Sequence, residues 1–276
     1  QSWHLRAREG AWDIGREYLG FEDEGAIGMD EQDCTIVPAR MADKVERKDS
    51  KTVKQYHKFL SGKVALASAT GFDVADSEIH PILKPHQRAA VRWAVQGGRR
   101  ALFEAFGLGK TMQQLEVVRL VLLKAGGGKG LIVMPLGVRQ EFMHDAQTLG
   151  ITASFVRTME EASADGVYLT NYETVRDGKI DPSHFVVSSL DEAAVLRGFG
   201  GTKTFREFMR LFERVRYRFV ATATPDPNEY IELLAYSAYL GIMEVGQAKI
   251  RWFKRDSTKA DCLTIHPHKE QEFWLW

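Results

Sequence analysis

Glu104-Ala105-Phe106-Gly107-Leu108-Gly109-Lys110-Thr111 is the stretch on which the fold turns. The residues before it, 101–104, read as a short strand. Those after it, 110–124, are apolar at Leu115, Val118 and Leu122 and stop at Gly126-Gly127-Gly128, the pattern of a helix with a glycine end. Strand, glycine turn and helix in that order make a cradle for phosphate. The glycines, Gly107 and Gly109, let backbone N–H groups curl around an anion, Lys110 neutralises β/γ oxygens, and the Thr111 hydroxyl offers a ligand to Mg²⁺. The general spacing G-x-x-x-x-G-K-[ST] asks for glycine at position 104, where this chain has Glu104. A glycine turn before an ordinary helix with a solvated lysine fits these eight residues too, so the surrounding segments must decide.

Working outward, 86–95 has a helical pattern ending at Gly97-Gly98, and 130–134 (Gly-Leu-Ile-Val-Met) is apolar without alternation. Such a run suits a parallel strand covered on both faces. Similar strands are expected at 167–170, 185–188 and 219–222. Strands alternating with helices predict an α/β fold with an open, mostly parallel sheet, and no repeat of solenoid length is visible.

After the third of these strands comes Leu190-Asp191-Glu192-Ala193-Ala194. This places two carboxylates at the carboxyl edge of a parallel sheet, where ligands bind. There Asp191 would hold Mg²⁺ and Glu192 would orient and deprotonate an attacking water, although acids at a helix start are also stabilising in themselves. The strand 219–222 runs into Ala223-Thr224-Pro225, which brings the hydroxyls of Thr222 and Thr224 to the same edge, within reach of the acidic pair.

The bulk composition narrows the class. A chain of 276 residues, 44% hydrophobic, can bury one good core with room for a smaller unit. The formal net charge is +0, so any polyanion partner must be recognised locally. The first 82 residues lean acidic, with 17–33 free of Lys and Arg, and the rest leans basic. The two cysteines, Cys34 and Cys262, form no zinc or disulfide pattern and suit a reducing compartment. No apolar run is long enough to span a bilayer as a helix, and no signal peptide opens the chain. A cytoplasmic protein is expected. Residues 1–75 read as an irregular N-terminal extension, with a short helix at 50–59. Both ends look cut, at Gln1 and in Phe273-Trp274-Leu275-Trp276, as in a fragment.

In order, these segments resemble the superfamily-two helicases and translocases, most closely the Swi/Snf-like branch and the helicase-like proteins of phages and restriction-modification systems. Leu83-Lys84-Pro85-His86-Gln87 with Val91-Arg92-Trp93 is similar to that branch's entry motif, whose glutamine contacts adenine, a role implied here for Gln87. The loop 104–111 matches the family's acidic variant, D/E-x-x-G-x-G-K-T, which accommodates Glu104. Residues 131–135 with Gln140-Glu141-Phe142 look like motif Ia, and Leu169-Thr170-Asn171-Tyr172-Glu173 like the T-S-Y-E element. Asp191-Glu192-Ala193-Ala194 departs from D-E-A-H or D-E-A-D at Ala194. Residues 221–225 with Asn228 and Glu232-Leu233 resemble motif III, with Ala223 in place of glycine.

The resemblance covers roughly 83–243. It implies a three-layer RecA-like lobe at 76–250, followed at 251–276 by the start of a linker toward a second lobe beyond this chain. It also implies ATP and Mg²⁺ as ligands. The family's second lobe supplies arginine fingers, which contribute on the order of 10³–10⁵ in rate in phosphate-loop enzymes. One lobe alone is therefore expected to bind nucleotide and hydrolyse it weakly.

Duplex DNA is the expected partner, gripped by its backbone without base readout. The candidate contacts are Arg139, Thr170 and Asn171 at motif positions, with Arg197 and Lys203 in the loop after Asp191. The series Arg206, Arg210, Arg214, Arg216, Arg218 reads as a helix face leading into a strand. Trp274 and Trp276 suit packing against a missing lobe. Two readings stay open, a DNA-stimulated ATPase lobe and a non-catalytic nucleotide- or DNA-binding module. A small-molecule kinase using the same loop finds no support in Gln87 or in the order of the motifs.

Overall fold

A computed structural model describes residues 69–193, 208–225, 233–255 and 263–275. The expected helix at 50–59, together with Ala194, Arg197, Lys203, Arg206, Asn228, Glu232 and Trp276, lies outside the described residues. The described chain forms two compact units, one up to Val245 and one from Gly246 onward.

The first unit is built on a six-stranded sheet of β1 (Arg99–Phe103), β2 (Lys129–Met134), β3 (Ala153–Phe155), β4 (Gly166–Asn171), β5 (Val187–Asp191) and β6 (Tyr217–Thr222). The spatial order is β1-β6-β5-β2-β4-β3 and every pairing is parallel. The helices are α1 (Pro85–Gly97), α2 (Lys110–Ala125), α3 (Arg139–Thr148), α4 (Tyr172–Arg176) and α5 (Leu233–Leu240).

Alternation along each strand divides the core into two layers. Ile132, Met134, Leu169, Phe219 and Ala221 pack with Val91 and Val95 of α1, Val118 and Val121 of α2 and Phe142 of α3. Leu131, Val133, Leu190 and Val220 face the other way, toward Val175 of α4, Phe208, Phe212, and Tyr236 and Tyr239 of α5. Helices thus cover both faces, and the α/β, three-layer, parallel expectation describes the molecule.

Local chemistry sets the element ends. Proline occupies the first turn of α1, where its missing N–H costs nothing, and Gly98 closes the helix in the left-handed region, φ 71°, with its N–H on Ala94 O. Gly126, φ 77°, ends α2 in the same way. Segment 69–75 runs along the end of α1, with Thr70, Gly71 and Phe72 donating to Gly97, Gln96 and Val95 carbonyls. Phe72 and Val74 join the core, so the described chain packs on this unit from residue 69.

Three expectations shift. The third apolar strand, expected at 185–188, is β5 at Val187–Asp191. Its Ser188 and Ser189 are fully buried, and each spends its hydroxyl on an interior partner, Tyr239 Oη and Gln114 Oε1 respectively. Phe185 precedes the strand and fills the core from a turn. The short edge strand β3 is additional. Of the arginine series, Arg214 and Arg216 are exposed, while Arg218 lies buried in β6 with Nη1 donating to Tyr239 O at 2.5 Å.

The second unit contains α6 (Val245–Trp252), an antiparallel pair β7 (Phe253–Arg255) and β8 (Leu263–Ile265), and α7 (Glu270–Leu275). Trp252 and Phe253 meet Phe273 edge-on. Glu272 Oε1 accepts from Arg251 Nε at 2.7 Å and Trp252 Nε1 at 3.2 Å. No helix among the described residues is long and apolar enough to cross a membrane.

Candidate nucleotide site

The site lies at the carboxyl edge of the sheet, where β1, β6 and β5 end side by side. Phe103 pairs with Thr222, and Ala221 pairs with Asp191, so the segments that follow these strands emerge at one level. Glu104 N–H continues the ladder onto Thr222 O at 3.3 Å. From here the chain turns through Gly107, φ 82°, and Gly109, φ 78°, into α2.

The start of α2 has no side-chain cap and no acidic residue in its first turn. Its orphan N–H groups and the positive end of its dipole are therefore available to an anion. Gly109 is required twice. Its φ is left-handed, and a Cβ there would come 2.2 Å from Gln87 Nε2.

Two glutamines brace the loop from α1 and α2. Gln87 Nε2 donates to Leu108 O at 3.0 Å while its Oε1 accepts from Lys84 N at 2.8 Å. Gln113 Nε2 donates to Glu104 Oε2 at 2.7 Å and reaches Leu108 O at 3.3 Å, and its own Oε1 is buried without a partner among the described residues. Glu104 is 8% exposed, and burial pushes its carboxyl up to about 7 against the pull of Gln113 and Lys110. Lys110 Nζ donates to the Glu104 and Ala105 carbonyls, both at 3.0 Å, and sits 5.4 Å from the centre of the exposed Phe106 ring. Burial depresses the Lys110 ammonium, while Glu104, Asp191, Glu192 and Glu141 pull it back up. Lys110 therefore shares one electrostatic neighbourhood with both acids of the pair.

Asp191 is the last residue of β5, and burial pushes its carboxyl up to about 6, with Gln114 opposing and Glu192 adding to the rise. Gln114 Nε2 donates to its Oδ1 at 2.7 Å, and Tyr172 Oη donates to its backbone carbonyl at 2.7 Å. Glu192 has φ 45°, the one positive φ outside glycine among the described residues. Strain of this kind costs about 1–3 kcal/mol and is held by its surroundings. Here the holders are Thr222 Oγ1, donating to Glu192 Oε1 at 3.2 Å, and Thr224 Oγ1, donating at 3.4 Å.

The structure thus brings Lys110, Thr111, Asp191, Glu192, Thr222 and Thr224 to one sheet edge, with Gln87 against the loop. Among the nucleic-acid candidates, Arg139 is exposed and stacks on Phe155, 4.8 Å from the ring centre. Asn171 is half-buried, donating to Glu173 and accepting from Thr174. Thr170 is fully buried with its hydroxyl on Val156 O at 2.8 Å, so its side chain is not offered to a phosphate. Arg197 and Lys203 lie outside the described residues.

Sequence reasoning missed Gln113, Gln114 and Ser189, and named Tyr172 within the T-S-Y-E element without its bond to Asp191. A glutamine pair one turn into the helix and a Ser-Ser pair inside a strand were the available signals. Among the described residues no cluster of three or more His, Cys, Asp or Glu could hold a metal alone. What Thr111 and Asp191 offer is a hydroxyl and a carboxylate beside a phosphate cradle. That donor set fits Mg²⁺, which completes its shell with water and phosphate oxygens.

No family model matches the chain, and no characterised protein matches it in sequence. Among solved structures it is similar to the UvsW helicase from bacteriophage T4, at 17% identity over 74% of this chain and 74% of that one, with a TM-score of 0.46. A likeness of that size carries no argument about activity, which rests on the geometry of the site.

Proposed function

We propose that this chain is the nucleotide-binding lobe of an ATP-driven motor acting on nucleic acid, of the phage or restriction type its motif order resembles. Hydrolysis of Mg-ATP would be coupled to movement on DNA when a second lobe completes the site. The observation that carries the reading is the common sheet edge at which β1 runs into the Lys110 loop, β5 ends in Asp191-Glu192 and α2 begins without a cap.

In this reading the loop N–H groups and Lys110 bind the β- and γ-phosphates, with Lys110 exchanging the Glu104 and Ala105 carbonyls for phosphate oxygens. Thr111 and Asp191 would hold Mg²⁺, which when bound neutralises charge on the β/γ oxygens. Glu192 Oε1, oriented by Thr222 and Thr224, takes the proton of the attacking water. Both hydroxyls lie on the segment leaving β6, so a change at the γ-phosphate would be felt there. Gln87 keeps the loop shaped through Leu108 O, and contact with adenine would use the same amide. Arg139 and Asn171 remain the proposed backbone contacts to DNA.

The test is phosphate release from ATP by this chain, with and without duplex DNA, in wild type and Lys110→Ala, alongside binding of a fluorescent ATP analogue. The reading expects tight Mg²⁺-dependent nucleotide binding, slow release, and loss of both in the variant. Binding that survives Lys110→Ala would overturn it. Tight binding with no release, even after a second lobe is supplied, would favour the non-catalytic module.

A further inference from the structure

The interface between α2 and β5 contains a polar pair in an apolar setting. Gln114 and Ser189 are both fully buried. In the sheet, Ser189 is flanked by Ile132 and Phe219, and Gln114 sits beside Leu115, Val117 and Val118 on its own helix. An amide and a hydroxyl buried there cost free energy that aliphatic side chains would not.

Their hydrogen bonds form a chain with one direction. Ser189 Oγ donates to Gln114 Oε1 at 2.7 Å, and Gln114 Nε2 donates to Asp191 Oδ1 at 2.7 Å. The hydroxyl fixes which end of the amide faces the acid, because flipping the amide would put Oε1 against a carboxylate oxygen. Asp191 is thereby tied at Oδ1 by the amide, and the Glu192 N–H also donates to its carboxyl.

We infer that Gln114 and Ser189 are positioning residues that set the Asp191 carboxylate for a divalent cation. They would act as outer-shell partners act on metal-binding carboxylates, whose loss typically costs roughly 10–100-fold in metal affinity. The inference rests on the proposed nucleotide site. It adds that two core residues, neither touching nucleotide, govern the cation's affinity.

The test measures binding of N-methylanthraniloyl-ATP to the intact chain by fluorescence, first in EDTA and then across a Mg²⁺ titration, in wild type, Gln114→Met and Ser189→Ala. Gln114→Met keeps length and volume and removes both hydrogen bonds. Ser189→Ala keeps the glutamine and frees its orientation, which guards against a folding failure in the first variant. Nucleotide affinity in EDTA should stay within about twofold of wild type. The Mg²⁺ concentration for half-maximal enhancement should rise by about tenfold in Gln114→Met and less in Ser189→Ala.

Wild-type Mg²⁺ curves in both variants would overturn the inference while leaving the nucleotide site intact. An equal loss of affinity with and without Mg²⁺ would assign the pair to packing and overturn it as well. If wild type itself binds no nucleotide, the functional reading fails and this inference goes with it.

Discussion

Glu192 Oε1 lies 3.2 Å from the Thr222 hydroxyl that donates to it, across the gap between the ends of β5 and β6. The same hydroxyl accepts from Thr224 N at 3.1 Å, so one side chain orders both the acid and the turn after β6. Thr222→Val keeps the shape and removes these bonds. A hydrogen bond to a charged group is worth about 1.5–3 kcal/mol, and about 1.4 kcal/mol is tenfold in rate. Turnover should therefore fall about tenfold or more, with nucleotide affinity nearly unchanged, as steady-state kinetics beside direct binding would show. An equal loss in both would mean that Thr222 supports the fold of the edge and not the base.

Glu192 itself separates chemistry from stability. Glu192→Gln should bind nucleotide like wild type and lose at least about a hundredfold in hydrolysis, the scale of a general base. Glu192→Gly removes the base and also the side chain that makes φ 45° costly. Its melting temperature should be at or above that of wild type while hydrolysis is lost. A clear drop in melting temperature would identify the carboxylate as a structural tie.

The carboxyl under the loop predicts a pH dependence. Burial raises the Glu104 carboxyl in the folded state to about 7, from an ordinary value of 4.5. For an acid raised on folding, the folded state binds more protons between those values, so stability falls as pH rises from about 4.5 toward 7. The accumulated cost above pH 7 is about 3 kcal/mol. Glu104→Gln removes the charge, and its amide N–H₂ can donate to Gln113 Oε1, which lacks a partner among the described residues. Urea unfolding should show the variant more stable than wild type at pH 8, with the advantage shrinking to about 1 kcal/mol or less at pH 5. A constant difference across that range would show that Glu104 does not titrate in it.

Arg139 is the exposed cation at a motif position, and its test is salt. If it meets a DNA phosphate, Arg139→Ala should weaken binding alike across sequences and reduce the slope of log affinity against log salt by about one. An unchanged slope would leave Arg139 to its stacking on Phe155.

How much of this was legible in the sequence follows from what each signal encodes. The loop, the acidic pair and the Thr222–Thr224 segment could be placed at one edge because each follows an apolar run, and parallel strands carry their ends to a common side. Strand β5 was misplaced because Ser188 and Ser189 interrupt its apolar pattern. Their interior partners, Tyr239 and Gln114, are far away in the chain and invisible to local periodicity. Thr170 shows the converse. Its motif position suggested a phosphate contact, but β4 alternation turns its side chain inward to Val156 O. Gln114 was hidden because a glutamine pair early in a buried helix does not say which of the two reaches an acid 77 positions away.

Gly109 and Gln87 supply a test of the loop that does not depend on catalysis. Gly109→Ala imposes a left-handed φ on a residue with a Cβ, costing about 1–2 kcal/mol, and drives that Cβ to 2.2 Å from Gln87 Nε2. The amide can escape only by giving up Leu108 O or Lys84 N, which unfastens the loop from α1. Gln87→Ala alone loses those two bonds but creates no clash. In the double variant the collision is gone and only the φ penalty and the lost bonds remain. Equilibrium unfolding should therefore show the double variant less destabilised than the sum of the single changes, by a coupling of about 1 kcal/mol or more. Additive effects would mean that the glutamine swings aside freely, and that the loop's shape does not depend on its hold from α1.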